Sequence, residues 1–401
     1  MTSDDLAANA VQLVVEVRAR AGRQQALQAA IDRLVDATHR IDPGVLRFEV
    51  GVDPTDDTRY VGYEIWASQD ALDRHADQPH TRQFLTDARE LVRDADAPLQ
   101  VTRWRPLDPP VPADYRRVST PPAPPPGGFA HRTVELDDTT LHYVIGGSGD
   151  PVVLLHGFPN TWYAWREVMP ALAERHTVLA VDLRGLGDST SGHKPNDVPT
   201  SAHDLHLLAR HLDLGPVAVA GQDWGGSTGF AWALGHPGEV RRLAVLEALP
   251  AGPWTAAGKG RQGAWFAAFH QVPSLPERLV EGREPDYLDW FYTAFSATPG
   301  VPSPDAVAEY LRCYRRPGAM SSAFARYRGI EREIAHNTTQ AKLTIPVLAV
   351  GSAQVFGAAV ADNLENAADD VRGEVLEGCG HYLTEERPRD VAALLLDFFG
   401  N

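Results

Sequence analysis

Gly221-Gln222-Asp223-Trp224-Gly225-Gly226 lies between an apolar run, Pro216 to Ala220, and a helix-like segment, Ser227 to His236. Strand, glycine-pinched turn and helix together are the setting of a nucleophile elbow. Small residues let the backbone bend sharply there, so that the central side chain stands exposed above a sheet. That side chain is most often a serine, and here it is Asp223. A carboxylate is ionised at neutral pH and attacks without a base. It suits displacement at an sp3 carbon, which leaves an alkyl ester on the protein. The elbow therefore points away from ester and peptide chemistry, toward strained ethers or alkyl halides.

The rest of the chain sets the frame. Its 401 residues leave room for two or three domains. A hydrophobic content of 43% with 22% charged residues is that of a globular protein in water. A formal net charge of −16 argues against nucleic acid or an anionic membrane as partner. No apolar run reaches the length of a membrane span. The opening Met1-Thr2-Ser3-Asp4-Asp5 lacks the basic-then-apolar order of a secretory signal. Cys313 and Cys379 form neither a disulfide framework nor a metal-ligand pair. The expected compartment is the cytoplasm.

Proline crowds residues 107–128, ending in Pro121-Pro122-Ala123-Pro124-Pro125-Pro126. Such a run builds no core and extends as polyproline II, so a linker is expected there between domains at 1–106 and 129–401. In the first, Val11 to Arg18 alternates like a strand and Gly22 to Ile41 has helical spacing. Val45 to Val52 and Arg59 to Trp66 read as strands joined by a polar turn. Ser68 to Arg93 is helical with a break at Pro79, and Leu99 to Trp104 is a last strand. The order βαββαβ predicts a ferredoxin-like α+β module. In the second domain, Thr133 to Ile145 reads as a hairpin. Short buried strands are expected at Val152 to Leu155, Thr177 to Val181, Val217 to Ala220, Leu243 to Leu246, Pro346 to Val350 and Gly373 to Leu376. Their alternation with helices predicts an α/β fold on a mostly parallel sheet. Residues from about 250 to 337 break this rhythm and read as a helical lid.

Four motifs follow predicted strands in order: His156-Gly157-Phe158-Pro159, Asp182 to Ser189, the elbow, and Gly378-Cys379-Gly380-His381 followed by Glu385-Glu386-Arg387-Pro388. On these the second domain resembles the α/β-hydrolase fold, in its epoxide hydrolase and haloalkane dehalogenase branch. The resemblance implies Asp223 as nucleophile, His381 as the base that activates water, and the Phe158 and Trp224 N–H groups as an oxyanion hole. His156 and Phe266 are expected to touch substrate. The orienting acid is assigned to Glu247, with Asp362 as the alternative, and Asp182 and Asp188 as loop braces. Tyr327, in the context Phe324-Ala325-Arg326-Tyr327-Arg328, matches the second of the two lid tyrosines that donate to an epoxide oxygen. The first is missing, and its place falls on Trp265 or Phe266, with Trp265 taken as a donor through its indole N–H. His270 and Tyr292 are read as structural.

The implied function is epoxide hydrolysis to a vicinal diol without metal or organic cofactor. Haloalkane dehalogenation and a non-catalytic binding role are the alternatives. Residues 11–106 resemble the antibiotic biosynthesis monooxygenase-like family through Tyr63-Glu64-Ile65-Trp66, His75, Pro79-His80 and Phe84. Members pair their sheets, which implies a homodimer. Trp66 and His75 stand where chemistry could occur, although dimerisation or substrate presentation is the leading role. The fusion points to a natural-product, polyketide-like epoxide substrate.

Overall fold

A computed structural model describes residues 11–42, 44–53, 56–94, 99–104, 121–254, 265–338 and 341–400. The chain divides into two compact units, residues 1–118 and 119–401. The expected linker lies outside the described residues as far as position 120, as do residues 255–264 of the expected lid.

The first unit runs β1 (Val11–Arg18), helix Gln24–Ile41, β2 (Val45–Asp53), β3 (Asp56–Trp66), helices Gln69–Ala76 and Pro79–Leu91, and β4 (Gln100–Trp104). Its four strands lie in the order β2-β3-β1-β4, all antiparallel. This is the expected ferredoxin-like topology. Side chains alternate along β3, so Tyr60, Glu64 and Trp66 point into the core while Val61, Tyr63 and Ile65 lie half-buried on the other face. The predicted break at Pro79 is real. Proline has no N–H to donate inside a helix, and here it opens the second helix of the pair.

The second unit carries an eight-stranded sheet in the order β12-β11-β10-β9-β7-β8-β6-β5. The strands are β5 (Phe129–Glu135), β6 (Thr140–Gly147), β7 (Asp150–Leu155), β8 (His176–Val181), β9 (Val217–Gln222), β10 (Val240–Leu246), β11 (Val347–Ser352) and β12 (Val371–Leu376). β7 to β12 pair in parallel, while β5 and β6 form an antiparallel edge. Every residue of β9 is buried. Helices cover both faces of a parallel sheet, so its central strands are apolar throughout rather than alternating. Six helices between Trp265 and Thr338 separate β10 from β11 and carry the aromatic residues read as a lid.

The elbow depends on close packing at its glycines. A Cβ on Gly225 would strike the Leu155 carbonyl of β7, and one on Gly157 would strike the Asp223 carboxylate itself. The helix Trp224–Gly235 can therefore start directly against the sheet, with Asp223 standing at its head.

Candidate active site

Three strand ends bring the candidate groups together. Asp223 follows β9 at φ 53°, ψ −123°, and Glu247 follows β10 at φ 46°. Backbone of this kind is costly for a non-glycine residue and persists where the surrounding structure fixes it. At Glu247 the backbone N–H donates to Val350 O at 2.8 Å. At Asp223 it donates to Leu246 O at 3.0 Å.

His381, in the loop after β12, faces both carboxylates. Its Nδ1 donates to Glu247 Oε2 at 3.0 Å, and its Nε2 lies 3.7 Å from Asp223 Oδ2. A proton on Nδ1 leaves the Nε2 lone pair for a water molecule. Glu247 is fully buried and accepts from the N–H groups of Ser352 (2.5 Å) and Phe356 (3.3 Å) through Oε1. Burial opposes a charge on His381, but the Glu247 hydrogen bond and the charge of Asp223 outweigh it and raise the pKa above the usual imidazole value. Asp362, the alternative acid, is exposed on the helix Ala359–Leu364. It does not line the site.

Phe158 N–H donates to Asp223 Oδ1 at 2.8 Å. Phe158, Trp224, Trp265, Phe266 and Tyr327 all line one cavity of about 490 Å³ with Asp223, Glu247 and His381. Further wall comes from Leu249, Phe291, Phe295, Phe356 and Tyr382. No lysine or arginine is among the described lining residues. The Tyr327 ring stands edge-on to Trp224 with centroids 5.0 Å apart. Phe266 lies 6.2 Å from Tyr327, whereas Trp265 leans on Trp290 at 5.0 Å and is half exposed. The two residues that share the missing tyrosine's place thus occupy different depths.

His156 departs from its expected role. It is buried and does not line the cavity. Its Nδ1 donates to Gly157 O at 3.0 Å, and its Nε2 accepts the Leu183 N–H at 3.1 Å. Those bonds require a neutral ring, and burial lowers its pKa accordingly. It staples the loop after β7 to the loop after β8. Asp182 and Asp188 do brace loops. Asp182 accepts from Trp162 N–H (2.8 Å) and Asp188 N–H (2.9 Å), and Asp188 pairs with Arg312 and Arg316.

Several supporting groups carried no motif of their own. Gln222 Nε2 donates to His381 O at 3.0 Å. Glu386 accepts N–H bonds from Gly380 (2.9 Å), Ala297 (2.8 Å) and Thr298 (3.0 Å), which ties the His381 loop to the lid. His270 is fully buried behind Tyr327, with ring centroids 4.4 Å apart, and shares a 2.5 Å hydrogen bond with the Tyr287 hydroxyl. Burial pushes its pKa down to about 3, so it is neutral. Its spacing from Phe266, four residues on one helix, was the available signal that it faces inward. Tyr292 donates to Pro159 O at 2.8 Å, in keeping with a structural role.

In the first unit, Trp66 and His75 stack in the core at 4.4 Å, and Asp42 Oδ2 accepts from His75 (2.6 Å) and His80 (2.9 Å).

Comparison with known proteins agrees with this fold. The α/β hydrolase fold family model matches residues 150–388, and the antibiotic biosynthesis monooxygenase model matches residues 10–87. The soluble epoxide hydrolase of Corynebacterium sp. (strain C12) is 37% identical over 286 residues, covering 68% of this chain and 97% of that protein. A fluoroacetate dehalogenase of Burkholderia sp. is 33% identical over 298 residues, covering 68% of this chain and 95% of that protein. The solved structure of the epoxide hydrolase CorEH without ligand is 36% identical with a TM-score of 0.64, covering 68% of this chain and 98% of that one. A nucleophile elbow with a facing histidine, on a sheet of this order and with these relatives, places the chain in the α/β hydrolase fold family, behind an antibiotic biosynthesis monooxygenase domain at its N-terminus.

Proposed function

We propose that this hydrolase opens an epoxide to a vicinal diol. The carrying observation is that Asp223, the His381–Glu247 pair and the Tyr327 side chain share one largely apolar cavity with no lysine or arginine among its described lining. Asp223 Oδ2 attacks an epoxide carbon while the Tyr327 hydroxyl, aided by Trp265, donates to the oxygen that leaves that carbon. The product of this step is an alkyl ester. Water, deprotonated by His381 Nε2, then adds to the ester carbonyl. The oxyanion develops on Oδ1, where Phe158 N–H already donates and Trp224 N–H is the second donor. One such donor contributes roughly 3–4 kcal/mol to the transition state. Glu247 stabilises the imidazolium formed in that step, which gives its proton to the departing diol oxygen as the tetrahedral intermediate collapses, the Cγ–Oδ2 bond breaks and the Asp223 carboxylate is restored. Esterification also removes the Asp223 charge that helps keep His381 protonated, so the base becomes available when it is needed.

The cavity volume of about 490 Å³ is that of a site for a small organic molecule. A natural-product epoxide fits both that lining and the fused antibiotic biosynthesis domain, through which we infer the chain pairs as a homodimer. Dehalogenation is the second reading, favoured by the 33% identical relative and by the presence of both Trp224 and Trp265 in the cavity wall. A carboxylate-bearing halide such as fluoroacetate would, however, find no lysine or arginine among the described lining residues. The test is a panel of neutral aryl and alkyl epoxides, haloalkanes and fluoroacetate, following diol and halide together. Diol formation is expected. Halide release with inert epoxides would overturn the reading.

A further inference from the structure

The helix Trp224–Gly235 begins at the nucleophile, and His236 closes its other end. Twelve residues at 1.5 Å each put that end roughly 18 Å from Asp223. Three imidazoles gather there. His206 and His236 stack face to face, with centroids 3.9 Å apart and planes within 7°. His203 lies 5.6 Å from His206 and 6.1 Å from His236. Glu239 closes the group, with Oε1 2.7 Å from His206 Nδ1. Its second oxygen, Oε2, accepts the Trp232 indole N–H at 2.8 Å.

We propose that His206, His236 and Glu239 form a binding site for a divalent transition-metal ion of the zinc type, separate from the reaction site. One donor atom from each lies within 4.8 Å of the others. Ligands of a tetrahedral zinc ion, at 2.0–2.2 Å from the metal, stand about 3.4 Å apart. To close the cluster around an ion, the His206 and His236 rings must turn out of their parallel stack, because an in-plane lone pair of each has to point at the same ion. His206 Nδ1 and Glu239 Oε1 now share a proton. On binding, that proton moves to His206 Nε2, and the ion takes its place between nitrogen and oxygen. The ligand set, two imidazoles and one carboxylate, is one that zinc accepts, with His203 or water in the fourth position. The Trp232 N–H supplies the supporting bond that orients a ligating carboxylate. All four side chains are half-buried, so the ion has a route from solvent. The bound ion would join the helix Val198–His211 to the C-terminal end of the nucleophile helix.

The test is calorimetric titration of the full, chelator-treated chain with zinc chloride, backed by Co2+ absorption as a report on ligand geometry. One ion per chain with a tetrahedral Co2+ spectrum is expected. His206→Gln/His236→Gln should weaken binding by more than about 100-fold, and Trp232→Phe by about 10–100-fold, the range for loss of a supporting partner. Glu239→Gln keeps an acceptor for Trp232 and guards against a folding defect in the double variant; it too should weaken binding. Turnover at the Asp223 site should be the same with and without zinc. Absence of binding, or affinity unchanged in Glu239→Gln, would overturn the site. So would retention in the double variant, which would assign the ion to another cluster such as Asp42, His75 and His80.

Discussion

At the scale of single residues, the proposed mechanism divides its labour between a group that attacks unaided and groups that act only on water. Asp223 is held at Oδ1 by the Phe158 N–H, and on that mechanism His381→Gln should leave alkylation intact and stall hydrolysis. Mass spectrometry should then find the substrate attached to Asp223, and normal turnover in that variant would remove His381 from the mechanism. In the ester the Asp223 charge is gone, so the His381 pKa, held up against burial by Glu247, sets the acid limb of the pH profile. Hydrolysis of the ester should fail as pH drops through that value, because the imidazolium has no lone pair. Glu247→Gln removes the hydrogen-bonded charge, so its acid limb should move to lower pH while the maximal rate falls; Asp362→Asn should change neither. At the lid, Tyr327→Phe should slow alkylation on the order of 100-fold or more, the cost of an absent donor to a developing alkoxide. Trp265→Phe asks whether the indole is the second donor, and full activity there would make it a packing residue. The places of Asp223, His381 and Glu247 were legible because the first and last stand directly after strands and His381 lies in the loop after one, in a recognisable local sequence. His156 was legible as a motif but not as a role. Only the folded chain shows both its nitrogens spent on backbone partners.

At the scale of elements, the inner strands of the parallel sheet were readable because burial on both faces makes them short apolar runs between glycine- and proline-marked turns, whereas the edge strand β12 has no buried residue. The ferredoxin-like order followed from alternation and from the break at Pro79. The lid was readable as helical but not as a wall. Its inner surface is made by contacts between distant helices, such as Phe266 with Phe291 at 5.1 Å and His270 with Phe324 at 4.2 Å. Periodicity within one helix does not say which partner helix will meet it. The same holds for the tie between lid and catalytic loop, which rests on the three N–H bonds accepted by Glu386. Hydrogen bonds to a charged acceptor contribute about 1.5–3 kcal/mol each, and an orphaned N–H carries a further penalty. Glu386→Ala should therefore lower thermal stability and loosen the His381 loop. Turnover should fall more than substrate affinity does, since the loop carries the proposed base while most of the cavity wall comes from elsewhere. Unchanged kcat with raised KM would instead mark the tie as part of substrate binding.

At the scale of the whole molecule, the first unit poses a question that the hydrolase chemistry does not answer. Its sheet packs one face on its own helices, with Leu13, Val17, Phe48 and Trp66 in that core. The other face carries Val14, Val61, Tyr63 and Ile65, half-buried in a single chain. The register explains the grouping: Val14 pairs with Tyr63, and Val61 and Ile65 follow at period two along β3, so the four cluster on a face that they share with Glu16, which stands opposite Val61 and pairs with Arg59. A sheet face of this kind is costly to leave in water, and a two-fold partner offering the same patch covers it on both chains at once. The full-length chain should therefore run as a dimer in light scattering. Placing charges on the patch, Val61→Asp with Tyr63→Asp, puts like charges face to face across the two-fold and should give monomers. The core face of β3 is untouched by these changes, so the unit should keep its fold, which circular dichroism can check. The reaction site draws every residue assigned to it from the second unit, between Phe158 and Tyr382. Epoxide turnover per chain should therefore survive dissociation. If the charged variant remains a dimer, the interface belongs to the hydrolase unit. If it dissociates and turnover collapses with it, the first unit does more than hold two chains together.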